Sequence, residues 1–117
     1  MITIVNKKTD DCEDAVYVGR GSPLGNPYSH KLSTMAEFQV ETRDEAVERY
    51  RGWLMAQLLQ KGWATKTFME LVRFYQDFGY LKLACWCVPK RCHAEVIAEM
   101  VEKYAEAEKE KACLIDT

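Results

Sequence analysis

The densest group of reactive side chains in this sequence lies where an apolar strand is predicted to run into a helix. The segment from Leu81 to Met100 reads LKLACWCVPKRCHAEVIAEM. It holds three of the five cysteines, one of the two histidines and two adjacent cations. Packing of a core does not require such a cluster. We therefore predict a functional site at this junction.

Two kinds of chemistry fit the junction directly. Lys90, Arg91 and His93 lie beside the unpaired amides of a helix N-terminus, a combination typical of an anion pocket. Cys87, Cys92 and His93 are the candidate catalytic residues. A cysteine would act as a nucleophile, since a helix N-terminus favours the thiolate, and the histidine would act as general acid or base.

A zinc site formed by Cys85, Cys87, Cys92 and His93 is a third interpretation of the same residues. On a strand, Cys85 would lie about 6.6 Å deeper than Cys87. Cys92 and His93 are adjacent, and their side chains would diverge by about 100° on a helix. We therefore expect no metal and no other cofactor, with zinc kept as an alternative. In a fourth interpretation the cysteines are small core residues and the cations are solvated.

The second motif is a loop at residues 19–27, which contains three glycines and two prolines in nine positions. This composition excludes a regular helix or strand and indicates a loop of defined shape. Glycines allow a ligand to approach the backbone, and an arginine binds phosphate or carboxylate through two hydrogen bonds. The spacing matches neither a dinucleotide fingerprint nor a P-loop, and a purely structural turn is the alternative. The predicted ligand-binding residues here are Arg20, Gly21, Ser22, Gly25 and Asn26.

The elements that must position both motifs follow from hydrophobic patterning. Short apolar runs predict strands at residues 2–6, 15–19 and 81–86. A Thr42-x-x-Glu45 capping box starts a helix that continues to about residue 61. A second box, Thr67-x-x-Glu70, predicts the start of another helix, which ends at Gly79. An apolar stripe over residues 96–104 predicts the last helix, followed by a charged end.

The order β-β-α-α-β-α predicts a small α/β domain in which helices pack on a layered sheet. We expect one domain over residues 1–117, with a core over about 1–105 and a charged tail at 106–117. Cys85 and Cys87 should share one face of the last strand, with Trp86 on the other face and in the core. Ligands of open α/β sheets bind beyond the carboxyl ends of strands. If the second and third predicted strands are parallel neighbours, loops 19–28 and 85–93 form one pocket.

Composition limits the function classes. The 117 residues are 48% hydrophobic and carry a net charge of −2, which argues against broad nucleic-acid or membrane-surface binding. No apolar run is long enough to span a bilayer, and the first residues lack a signal-peptide layout. Five unevenly spaced cysteines suit reduced thiols in the cytoplasm. The expected partner is a small anionic ligand, and a homodimer is left open.

Together the two motifs resemble the Domain of Unknown Function 4326 family of bacteria and their phages. The hallmarks of that family are a Gly-Asn-Pro loop and a Cys-Trp-Cys-x-Pro-x-x-Cys-His segment, present here at residues 25–27 and 85–93. Residues 45–54 also resemble the middle of the family, so the likeness covers about residues 15–100. The turn is similar to one in Domain of Unknown Function 488 as well. Neither resemblance implies a known activity, and a phage origin would imply the host cytoplasm.

We therefore expect the chain to bind and process a nucleotide-like or sugar-phosphate-like molecule between loops 19–28 and 85–93. One alternative is a binding module without turnover, which would hold a nucleotide signal or contact a host protein. The other is a structural zinc site at residues 85–93.

Overall fold

The computed structural model describes residues 1–8, 10, 12–29, 38–40, 42–86 and 91–115. The strands are β1 (Ile2–Asn6), β2 (Val16–Tyr17), β3 (Tyr28–Ser29), β4 (Phe38–Gln39) and β5 (Leu81–Cys85). The helices are α1 (Arg43–Gln60), α2 (Ala64–Phe78) and α3 (Ala94–Ile115). Side chains of β3, β4 and residues 108–115 lie outside the description.

The main sheet has three parallel strands in the order β1-β5-β2. β5 is central, with Ile2 opposite Leu81 on one side and Tyr17 opposite Ala84 on the other. With the three helices, this sheet confirms the predicted α/β class and its β-β-α-α-β-α order. β3 and β4 add a separate parallel pair of two residues each, for which the sequence predicted no strand. No apolar periodicity marks segments this short.

The hydrophobic core lies between the sheet and the helices. Leu81, Leu83 and Cys85 alternate along β5 and therefore share one face, which packs on helix residues. On the opposite face Ala84 is buried, whereas Lys82 is only half-buried. The larger helix residues that complete the core are Val47, Tyr50, Leu54, Phe68, Leu71, Val72, Val96, Ile97, Met100 and Val101.

At the start of α1 and the end of α2, short sequence signals were sufficient to predict the observed helix boundary. Thr42 caps α1 as predicted, since its Oγ1 accepts from the Glu45 amide at 3.0 Å. Gly79 ends α2 with φ of 76°, and its amide donates to the Tyr75 carbonyl. α3 continues to Ile115, so its charged end is helical.

The predicted start of α2 at the Thr67–Glu70 box is wrong, because the N-cap position is Trp63, four residues before Thr67, and the helix begins at Ala64. Trp63, at the N-cap position, makes no side-chain cap. Instead Gln57 of α1 accepts from the Ala64 amide at 3.5 Å, and its carbonyl accepts from the Thr65 hydroxyl at 2.9 Å. A neighbouring helix thus supplies the partners that a local box would have supplied.

Candidate functional site

The two predicted loops meet at one edge of the sheet. β2 and β5 are parallel neighbours, so their carboxyl ends lie side by side. Residues 18–27 follow β2, and the turn at residues 91–93 precedes α3. His93 joins them, because its Nε2 lies 2.5 Å from the Val18 carbonyl oxygen. The described ends of the two segments thus lie side by side.

That contact determines which nitrogen of His93 carries a proton. A carbonyl oxygen only accepts hydrogen bonds, so Nε2 must be the donor. In the neutral ring Nδ1 is then an acceptor. His93 is only 6% exposed, and the Tyr50 ring meets it edge-on with 4.9 Å between ring centroids. The imidazole is thus held in one orientation and one tautomer.

Cys92 faces the acceptor nitrogen of this ring. Its Sγ lies 3.4 Å from Nδ1 of His93, a distance at which the thiol donates its proton to the imidazole. The sulfur belongs to a residue that is 2% exposed and lies two positions before Ala94, the first residue of α3. Cys92 and His93 thus form a buried thiol–imidazole pair, which we call the Cys92–His93 dyad.

Tyr50 is a site residue that sequence reasoning did not identify. Its hydroxyl donates to the Leu24 carbonyl at 2.7 Å, so it connects α1 to the glycine-rich loop. Burial raises the pKa of the Tyr50 phenol well above its usual range, and the charge of a Cys92 thiolate adds to that effect. The phenol therefore remains a donor. In the sequence it looks like one more residue of the apolar stripe of α1, so no signal distinguished it.

The loop at residues 19–27 is fixed by its own backbone contacts and by α1. Asn26 is 7% exposed, and its side-chain amide donates to the Ala46 carbonyl at 3.0 Å. Gly25 allows a close backbone approach, since a Cβ there would lie 2.7 Å from the Gly19 carbonyl oxygen. Gly21 has φ of 93°, which favours glycine.

The two remaining predicted ligands of this loop also contact its backbone. The Ser22 hydroxyl donates to the Gly19 carbonyl at 2.6 Å. The Arg20 guanidinium donates through Nη1 to the Asn26 carbonyl. A positive charge is thus held against the loop itself.

Arg91 lies at the turn but is directed toward acidic side chains. Its guanidinium pairs with Asp44 at 3.2 Å, with Glu95 at 3.4 Å and with Glu48. Hydrogen bonds to Glu48 and then Asp44 raise the pKa of Arg91. Two of these carboxylates belong to α1, so the charge of Arg91 is already compensated at the helix surface.

Part of the predicted site lies outside the described residues. Cys87 and Lys90 are in the segment 87–90, so their predicted roles are not located. Cys85 is buried in the core face of β5. Within the described ranges, no group of three or more His, Cys, Asp or Glu side chains is arranged to hold a metal ion.

The predicted core position of Trp86 is wrong. Its side chain is 54% exposed, because it follows β5 on the face opposite the helices. Its indole Nε1 donates to the Tyr17 hydroxyl at 3.2 Å. The Lys7 ammonium lies 4.2 Å from the centroid of the Tyr17 ring. Sequence reasoning also missed Lys7 and Tyr17, which carry no motif.

Comparison with family models matches this chain over residues 4–103 to the family described as Domain of unknown function (DUF4326). The chain belongs to this family. The matched region of this DUF4326 chain includes both strand-end loops, the Cys92–His93 dyad and α1. No curated protein and no solved structure matches the chain. Over the part that the structure describes, no helix of this DUF4326 chain is long and apolar enough to cross a bilayer.

Proposed function

We propose that this protein binds and processes a small anionic molecule, nucleotide-like or sugar-phosphate-like, between loops 19–28 and 85–93. The main support for the proposal is the Cys92–His93 dyad, which lies where the described ends of these loops adjoin. His93 contacts the Val18 carbonyl at 2.5 Å, and Cys92 lies 3.4 Å from the other ring nitrogen. Buried and oriented thiol–imidazole pairs are characteristic of nucleophilic and acid–base chemistry.

The roles within the dyad follow from its hydrogen bonds. Nδ1 of His93 accepts the Cys92 proton, which produces a thiolate and an imidazolium. The imidazolium stays in place because its Nε2–H still donates to the Val18 carbonyl. The thiolate would attack an electrophilic carbon or phosphorus and break its bond to the leaving group, which takes up the imidazolium proton. Water, deprotonated by the neutral imidazole, would then hydrolyse the covalent intermediate and restore the Cys92 thiol.

We assign to Arg20 the role of binding the anionic group of the ligand. The Arg20 guanidinium lies along the glycine-rich loop, where Nη1 donates to the Asn26 carbonyl. Gly21, Ser22, Gly25 and Asn26 shape the backbone that would contact the same group, and Lys90 remains a proposed second cation. Cys12, Cys85 and Cys92, the cysteines whose side chains the structure describes, form no disulfide, which supports a proposed cytoplasmic setting.

The test is incubation with nucleoside phosphates and sugar phosphates, followed by mass spectrometry of the small molecules and calorimetric titration. We expect at least one compound to bind and to be converted. Arg20→Ala should weaken binding at least tenfold, and Cys92→Ser should abolish conversion while binding persists. Arg73→Ala, which removes an exposed arginine on α2, is the matched control. If no compound of the panel binds, the proposed function is wrong.

A binding module without turnover is the second candidate, and the burial of Cys92 favours it. At 2% exposure the sulfur has little direct access from solvent. Such a module would hold a nucleotide signal, as expected for a phage protein. Heating the complex separates the two candidates. Release of the unchanged compound indicates capture, and release of a product indicates an enzyme.

A further inference from the structure

Three side chains that the proposed chemistry does not use come together on one face of the sheet. Tyr17 lies opposite Ala84 in the β2–β5 pair, and Val5 lies opposite Ala84 in the β1–β5 pair. Because side chains alternate along a strand, the residues two positions after Ala84 and Val5 are Trp86 and Lys7, on the same face. We call Lys7, Tyr17 and Trp86 the strand-end platform.

The platform is held by specific contacts. The Lys7 ammonium lies 4.2 Å from the Tyr17 ring centroid and 5.8 Å from that of Trp86, both within cation–π range. The Trp86 indole donates to the Tyr17 hydroxyl at 3.2 Å. That hydroxyl donates in turn to the Arg20 carbonyl at 2.9 Å. The platform therefore adjoins the loop to which we assign the anion.

The backbone around Trp86 is hydrogen-bonded, so the exposure of its indole does not result from an unpaired segment. The Lys7 amide donates to the Cys85 carbonyl at 2.8 Å, which extends the β1–β5 ladder to the edge of the platform. The Asn6 side-chain amide also contacts the Trp86 carbonyl at 3.4 Å. The indole thus presents apolar surface to solvent, 54% exposed, from a fixed backbone.

We propose that the strand-end platform binds the planar base of a mononucleotide. The base would stack on the Trp86 indole, and the Lys7 ammonium would contact a phosphate oxygen. This inference rests on the proposed function and narrows its ligand class from sugar phosphates to nucleotides. Stacking of a base on an aromatic side chain strengthens binding about 5- to 150-fold. Binding along a nucleic-acid backbone relies on many positive charges, whereas this chain has a net charge of −2. The platform therefore suits a single nucleotide.

The test is calorimetric titration of the full chain with AMP, GMP, CMP, UMP and ribose 5-phosphate. We expect at least one mononucleotide to bind at least about fivefold more tightly than ribose 5-phosphate. Trp86→Leu should remove this difference and leave ribose 5-phosphate binding unchanged. Trp63→Leu is the matched control, because Trp63 is 67% exposed at the start of α2. It should leave all affinities as in the unchanged protein.

Tryptophan fluorescence provides a second measurement that does not depend on how Trp86→Leu folds. In the Trp63→Phe variant, the preferred mononucleotide should quench emission at saturation, and ribose 5-phosphate should not. Equal binding of ribose 5-phosphate and every mononucleotide would overturn the platform while the proposed function stands. If none of the five compounds binds, the platform is wrong, and the wider panel of nucleoside phosphates and sugar phosphates decides the proposed function. Binding of a single-stranded oligonucleotide without binding of any mononucleotide would also overturn the inference.

Discussion

Polar contacts in the interior of this protein differ in kind from those on its helix surface. In the interior, side-chain donors are directed at single backbone carbonyls, as with His93 on Val18 and Tyr50 on Leu24. On the surface, arginines pair with carboxylates on neighbouring helices, as with Arg91 on Asp44 and Glu48. The first group connects α1 and the turn before α3 to the segment that follows β2, and the second connects that turn to α1.

The difference separates the residues that shape the site from those that surround it. A buried carbonyl that loses its donor costs about 1–3 kcal/mol, whereas an exposed ion pair contributes little. We infer that the interior donors determine the shape of the glycine-rich loop. The surface pairs mainly compensate charge, which explains why Arg91 is not directed at that loop.

The largest expected effect is that of His93→Ala. It should lower the free energy of unfolding by about 3 kcal/mol, because it removes the donor of the Val18 carbonyl and leaves a cavity beside Tyr50. Urea denaturation measures this change. His93→Phe keeps a ring without a donor and should lose about half as much. A loss below about 1 kcal/mol for His93→Ala would contradict the role given to the interior contacts.

Tyr50→Phe isolates one interior hydrogen bond. It should cost about 1–2 kcal/mol, because the Leu24 carbonyl loses its donor while the ring stays packed. Urea denaturation again measures it. Tyr75→Phe is the control, since that hydroxyl lies 3.4 Å from the N-terminal amine near the surface. Equal effects of the two variants would remove the distinction between interior and surface.

Arg91→Ala tests the surface group. Although three carboxylates lose a partner, the melting temperature should fall by no more than about 3 °C, because exposed pairs are screened by solvent. A thermal melt followed by circular dichroism measures it, with Arg73→Ala as the control. A decrease of more than about 8 °C would show that the pairs hold the turn in place.

The Arg51–Glu99 pair should give a still smaller effect that depends on pH. The hydrogen bond from Arg51 lowers the pKa of Glu99 below its ordinary value of 4.5. Its stabilisation is therefore present above about pH 4.5 and is lost as the pH falls through the lowered pKa. Thermal melts should show Glu99→Gln slightly less stable than the unchanged protein at pH 7 and equal to it at pH 3. An equal difference at both pH values would exclude this linkage.

Removal of metal should have no effect on stability. We expect the purified protein to hold far less than one zinc per chain, and a chelator to leave its melting temperature unchanged. Elemental analysis and thiol titration before and after chelation measure this. One zinc per chain, with thiols that react only after chelation, would identify Cys85, Cys87, Cys92 and His93 as a structural zinc site. It would also remove the basis of the proposed dyad.

Predictions from the sequence succeeded where a signal is local. β1 was predicted with its observed bounds, and Thr42 and Gly79 mark helix ends as expected. They failed where a distant residue intervenes, as when Gln57 supplies the partners of the first turn of α2. The exposure of Trp86 could not be read from its position in an apolar run, because it depends on which face the helices cover.

By itself the sequence determined the α/β class, the main strands and helices, and the two loops that carry reactive side chains. Alternation, helical periodicity and capping are short-range properties, so they can be read residue by residue. Only the tertiary structure decided that β5 separates β1 from β2, that His93 reaches the Val18 carbonyl, and that Arg91 turns toward α1. These contacts join residues far apart in the chain, and packing of the whole domain determines which partners meet.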